Sequence, residues 1–188
     1  MGEKELRDLI PIQAEWSIPQ LQENLAVALE GSGAALSTIQ TQAKAVSSEV
    51  ALVVNTSGST GDSKSVVLSS AALIASANAS HKYLGATPGD SWSLLLPTTH
   101  IAGLNVIVRA TALGSRVIDN RNREDYVDAD FVSIVPTQLY KALTSDSKLL
   151  EHLTAAEAVL VGGAPISDKL KDRKSTRLNS SHVSESRM

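Results

Sequence analysis

The chain has 188 residues, 43% hydrophobic and 20% charged, with a formal net charge of −3; this suits a globular domain with a sizeable core and argues against a nucleic-acid binder, which carries a basic surface. The absence of cysteine excludes disulfide frameworks, Cys-based zinc sites and Cys nucleophiles. The charged N-terminus MGEKELRDLI has no apolar stretch of signal-peptide type, and no apolar run approaches the roughly 18 residues of a membrane span, so a cytoplasmic location is expected.

Residues 1–48 are polar and Ala-rich and read as a leader with one helix and a linker. Leu21, Leu25, Ala28 and Leu29 recur at helical spacing, which predicts a helix over 19–30 that Gly31 and Gly33 stop. Residues 37–48 show no period. The run VALVV at 50–54 reads as a buried strand, and VVL at 66–68 as a second strand forming a hairpin-like pair with it. Residues 69–83 read as a helix, and Pro88-Gly89-Asp90 as a turn. Next come a strand at 92–97, a helix at 101–113, strands at 115–119 and 130–136, a helix starting at 137–143 and a strand at 158–163. Strands alternating with helices predict an α/β domain with a largely parallel sheet flanked by helices. Ligands of such sheets bind where strands end, often in Gly-bearing loops.

The most informative stretch is Thr56-Ser57-Gly58-Ser59-Thr60-Gly61-Asp62-Ser63-Lys64. Glycines let a backbone approach a ligand closely. Successive amide groups form an anion-binding concavity, the hydroxyls add donors, and Lys64 adds a positive charge suited to phosphate oxygens. A plain Ser/Gly hairpin is the alternative on the residues alone. A Walker loop fits poorly, because Ser63 stands where that motif has glycine and the loop leads into a strand pattern. Two further segments stand at strand ends. In Leu96-Pro97-Thr98-Thr99-His100-Ile101-Ala102-Gly103, His100 precedes a helix and is open to a capping or packing role. In Val161-Gly162-Gly163-Ala164-Pro165, two glycines make a flat backbone surface on which an adenine ring can pack; an ordinary strand-to-helix turn is the alternative.

Taken together, the three segments resemble the adenylate-forming superfamily of acyl-CoA synthetases, luciferases and peptide-synthetase adenylation domains. TSGSTGDSK is similar to that superfamily's phosphate loop, with Ser63 in place of the usual Pro and Ser65 in place of the usual Gly. The segments at 99–110, 132–143 and 158–167 resemble short actinobacterial o-succinylbenzoate–CoA ligases of menaquinone biosynthesis. The resemblance covers about residues 50–170. It implies a partial AMP-binding domain over 49–171, and a ligase that uses ATP, Mg2+ and coenzyme A on a small carboxylic acid. It also implies that Thr56, Ser57, Gly58, Ser59, Thr60, Gly61 and Lys64 hold the β- and γ-phosphates. His100 would orient the carboxylate and phosphates, Gly103 would let its helix pack closely, and Gly162, Gly163, Ala164 and Pro165 would line the adenine site. No metal ligand is assigned. His81 reads as structural. Arg109 is open between a surface residue, a salt bridge and a carboxylate clamp.

The family's Tyr-Gly-x-[ST]-Glu segment, its ribose-binding Asp and its Lys-bearing mobile domain do not follow Pro165. An N-terminal fragment without ligase activity of its own is therefore expected, and poor stability with it. Residues 172–188 lack apolar periodicity, and DRKSTRLNSSH at 172–182 resembles the in-frame translation of a DNA-sequencing adapter. A non-native tail without strand or helix is expected there.

Overall fold

A computed structural model describes residues 5–57, 63–165 and 183–185. The fold is α/β, with two five-stranded sheets. Strands β1 (Leu6–Pro11), β2 (Ala35–Ser37), β3 (Ala45–Ser47), β4 (Val50–Ser57) and β5 (Ser63–Ser69) build the first, in the order β3-β1-β2-β4-β5. Its β1–β2 and β2–β4 pairs are parallel, whereas β3 and β5 add antiparallel edges. Strands β6 (Trp92–Leu94), β7 (Val117–Asp119), β8 (Phe131–Ile134), β9 (Ala158–Val161) and β10 (Val183–Glu185) build the second, ordered β10-β9-β8-β6-β7 and parallel throughout. The expected β4–β5 hairpin is present, with Thr56 opposite Lys64.

Helix α1 (Ile18–Glu30) forms where the apolar spacing predicts, and Ile18, Leu21, Leu25, Ala28 and Leu29 are its buried stripe. Its start is fixed by a capping box. The Ser17 amide donates to Gln20 Oε1 at 2.9 Å, and the Gln20 amide to Ser17 Oγ at 3.4 Å. Its end is Gly31, in the left-handed region at φ 79°. Helix α2 (Ser70–Leu84) buries Leu73, Ala77 and His81. Helix α3 (Ile101–Leu113) is apolar nearly all round and is buried from Gly103 to Ala110 except at Asn105.

One core joins α1, α2 and α3 to Leu36, Leu52 and Val54 of the first sheet and to Trp92, Leu94, Phe131 and Leu160 of the second. The strands of the second sheet alternate. Phe131 and Leu160 face this core, whereas Val132, Ile134, Val159 and Val161 face a smaller one under α4 (Pro136–Thr144) and α5 (Ser147–Ala155). Both faces of the parallel sheet are thus covered, which is why its strands read as continuous apolar runs.

Three differences from the sequence expectation have physical causes. Residues 5–48, expected as a helix and a linker, also hold β1, β2 and β3. Strand β1 escapes notice because its buried positions include Arg7, whose Nη1 donates to the Ala28 carbonyl at 2.9 Å; β2 and β3 have three residues each, too few for a period. Helix α5 was not expected, although Asp146 caps it through the Leu149 amide at 2.9 Å. The tail, expected without strand, supplies β10, which pairs with β9 from Val183↔Val159 to Glu185↔Val161. Three residues on an open edge need only backbone hydrogen bonds, so no side-chain pattern announces them.

Candidate functional site

The carboxyl ends of β6, β8 and β9 leave one edge of the parallel sheet together, the usual place for a ligand in such a sheet. A small, half-open cleft lies there, about 30 Å³ in volume. Leu96, Ala102, Ile134, Val135 and Leu160 supply apolar lining, Gly162 and Gly163 supply bare backbone, and Asn105, Arg109 and Ser133 supply polar groups. Gly162 is tied in by its amide, which donates to the Ile134 carbonyl at 3.1 Å. Gly163 has φ 89°, and a Cβ there would touch Val135. Ala164 and Pro165 follow as exposed residues.

Arg109 is the cation of the cleft, and it is only 7% exposed. Its Nε donates to Ser80 Oγ at 3.3 Å, and its guanidinium carbon lies 5.7 Å from the centre of the Trp92 ring. Among the described residues no carboxylate forms an ion pair with it. Burial lowers its pKa from the ordinary arginine value, but an arginine stays protonated at any working pH. The structure therefore rules out a surface position or a salt bridge with a described residue. Ser133 Oγ is buried without a partner among the described residues. A buried cation with no carboxylate partner and a buried hydroxyl with no hydrogen bond, both among the described residues, can receive an acidic group in one apolar cleft.

His100 is the N-cap of α3 and is exposed; its side chain makes no capping bond. It follows a tight turn in which its amide donates to the Pro97 carbonyl at 3.4 Å. Gly103 packs against that turn so closely that a Cβ would overlap the carbonyls of Pro97 and Leu96. The helix thus sits on the turn as the sequence led one to expect, and only glycine permits it.

The phosphate-loop candidates are partly outside view. Gly58, Ser59, Thr60 and Gly61 lie outside the described residues. Thr56 and Ser57 belong to β4, and Lys64 stands exposed on β5 opposite Thr56. The lining of the cleft includes neither Lys64 nor His100. His81 is buried at α2, near Trp92 and the Arg109 backbone, and burial lowers its pKa; its place is in the core.

Sequence reasoning left Arg109 undecided and did not single out Asn105 or Ser133. One signal was available for Arg109: it is the single charge in the apolar run IAGLNVIVRATAL. For Ser133 there was none, because its distance in sequence from Arg109 hides their shared cleft. Among the described residues no three His, Asp or Glu side chains are grouped to hold a metal ion, and no helix is long and apolar enough to cross a membrane.

The Pro97–His100 turn and the Gly162-Gly163 turn both follow strands of the second, parallel sheet, and the β4–β5 hairpin belongs to the first, in one α/β fold. The chain belongs to the AMP-binding enzyme family, whose profile matches residues 4–185. It is 38% identical over 171 residues to a protein described as "Probable 2-succinylbenzoate–CoA ligase" of Mycobacterium tuberculosis, covering 79% of this chain and 43% of that protein. It is 32% identical over 170 residues to the 2-succinylbenzoate–CoA ligase of Salmonella typhimurium, covering 84% of this chain and 36% of the relative. Among solved structures it is similar to an acyl-CoA synthetase (AMP-forming)/AMP-acid ligase II-like protein of Dyadobacter fermentans. That pair has TM-score 0.61 and 30% identity, over 72% of this chain and 40% of the other. It is also similar to an Escherichia coli MenE variant with bound OSB-AMS, with TM-score 0.56 and 27% identity, over 68% and 28%. The chain spans less than half the length of these relatives.

Proposed function

We propose that the complete protein carrying this chain is an acid–CoA ligase that activates o-succinylbenzoate. In the first step a carboxylate oxygen attacks the α-phosphorus of MgATP, giving acyl-AMP and releasing pyrophosphate. In the second the sulfur of coenzyme A attacks the acyl carbon and AMP leaves. Both steps need charge neutralised and reactants aligned more than they need a protein nucleophile.

The observation that carries the proposal is the buried Arg109, without a carboxylate partner among the described residues, in an apolar cleft beside Gly162 and Gly163. An aromatic dicarboxylate fits that chemistry. Its ring packs on Leu96, Val135 and Leu160, while one carboxylate meets Arg109 and Ser133 and leaves the other to react. A simple fatty acid would leave the buried cation unanswered. In this scheme Thr56, Ser57, Gly58, Ser59, Thr60, Gly61 and Lys64 hold the β- and γ-phosphates. His100 orients the reacting carboxylate and phosphates, and Gly162, Gly163, Ala164 and Pro165 line the adenine. The similarity to two 2-succinylbenzoate–CoA ligases supports the choice of acid.

ATP–pyrophosphate exchange by the complete protein, across a panel of carboxylic acids, tests this. Exchange that depends on o-succinylbenzoate is expected. Equal exchange with fatty acids would remove the assignment of the acid. The departures at Ser63 and Ser65 from the family's phosphate loop favour one different outcome, a non-catalytic nucleotide-binding module. That outcome requires ATP binding with no exchange on any acid.

A further inference from the structure

Arg121 makes an arrangement that the proposed reaction does not use. It sits just beyond β7, whose last residue Asp119 lies in register with Leu94 at the end of β6. The Asn120 amide donates to the Leu94 carbonyl at 3.0 Å, which pins this segment against the end of β6. Arg121 Nε and Nη2 donate to Asp119 Oδ1 and Oδ2, each at 2.8 Å. This is a two-pronged pair that leaves the guanidinium no freedom to swing. The remaining nitrogen, Nη1, donates to Thr98 Oγ1 at 3.3 Å. Thr98 is in the turn that ends at His100, two residues on.

The pair is partly exposed, at 27% and 38% for the two side chains, and ion pairs in such places contribute little to global stability. Its geometry has a different consequence. The bidentate grip aims the third donor at a residue of another loop, and the turn is held from two sides. Gly103 presses on it from α3, and Arg121 holds Thr98 from the segment that follows β7. Lysine cannot reproduce this, because an ammonium lacks the planar fork that binds the carboxylate and reaches the hydroxyl at once.

We propose that Arg121 is a positioning residue: clamped by Asp119, it fixes Thr98 and so holds the Pro97–His100 turn from which His100 acts. The proposal rests on the role given to His100 above. It extends that role to two side chains, Arg121 and Asp119, that stand outside the cleft lining and the phosphate loop.

The test uses the complete protein with Arg121→Lys, Thr98→Val and His100→Ala, singly and combined. Arg121→Lys and Thr98→Val should each slow saturated ATP–pyrophosphate exchange by about 3- to 10-fold, the size of one hydrogen bond, with the KM for the acid unchanged. Made together, they should be no slower than the worse of the two, as expected for members of one network. In the His100→Ala background, Arg121→Lys should add nothing. A full additional loss there would show that Arg121 acts without His100 and would overturn the proposal. A second readout needs no turnover. In histidine-labelled protein, the His100 ring signal should shift in both Arg121→Lys and Thr98→Val, while the signals of buried His81 and His152 stay in place. A His100 signal unmoved in both variants overturns the positioning role. If His100→Ala alone exchanges at the wild-type rate, the role of His100 in the reaction fails, and the ring signal still decides whether Arg121 orders the turn.

Discussion

Arg109 and Trp92 meet in the core at 5.7 Å, guanidinium over indole, although one belongs to a helix and the other to the first residue of a central strand. The stacking holds the arginine stem against the sheet and leaves its charge without a carboxylate among the described residues. This is the cation to which the proposed reading assigns the acid's free carboxylate. Arg109→Met in the complete protein should raise the KM for the acid by about 10- to 100-fold, matching a charge-assisted hydrogen bond of about 1.5–3 kcal/mol. The KM for ATP should stay within a factor of two. Initial rates of pyrophosphate exchange measure both, and an ATP effect equal to the acid effect would place Arg109 in the nucleotide site instead.

Gly103→Ala is the smallest substitution that tests the contact between α3 and the Pro97 turn. Its methyl group would overlap two backbone carbonyls, which cannot rotate aside as a side chain can. A loss of about 1–3 kcal/mol is expected, read as a lower urea midpoint with an unchanged slope. Equal stability would mean that the turn yields freely.

Acid should weaken the fold in two separate windows. His152 and His81 are buried, and burial lowers both pKa values below the ordinary histidine value of 6.5. The unfolded chain therefore takes up protons before the folded one does, so stability is complete above about pH 6.5 and falls as pH drops below it. Asp119 and Asp130 lie below the ordinary 3.8, through hydrogen bonds from Arg121 and Ser91 respectively. Their contribution is present above that value and is lost below it. Urea midpoints against pH should show the first fall between pH 7 and pH 5, and His152→Gln should flatten it. A flat wild-type profile over that range would refute the assignment.

Ser17→Ala removes the side-chain oxygen that caps α1. A loss of about 1 kcal/mol is expected, visible as a lower thermal midpoint. Ser17→Gly should cost less, since glycine is tolerated at that position.

How much of this was legible in the sequence depends on the length scale of each feature. Helix α1 was, because Leu21, Leu25, Ala28 and Leu29 repeat along one face. Strands β6 to β9 of the second sheet were, because sheets buried on both faces leave runs such as FVSI and AVLV. Strand β1 was not, because a sequence shows Arg7 as a charge and only the fold shows that the α1 carboxyl end receives it. The apolar positions Leu149 and Leu153 of α5 did stand at helical spacing, in a segment of only nine residues. The cleft was half legible. Gly162 and Gly163 announce a bare strand end, whereas Ser133 becomes their neighbour only once β8 and β9 are in parallel register.

Helix α3 is capped at His100 and carries Arg109 nine residues on, about 13.5 Å along the axis at 1.5 Å per residue. Its close seat on the Pro97 turn makes turn and helix one mechanical body. On the roles proposed above, the acid at Arg109 and the phosphates at His100 would contact two points of the same rod. An axial shift that improved one contact would change the other, and by thermodynamic reciprocity each ligand would then alter the affinity for its counterpart by the same factor. Communication between an acid and a nucleotide would in that case need no moving domain, only a stiff helix with a glycine at its foot.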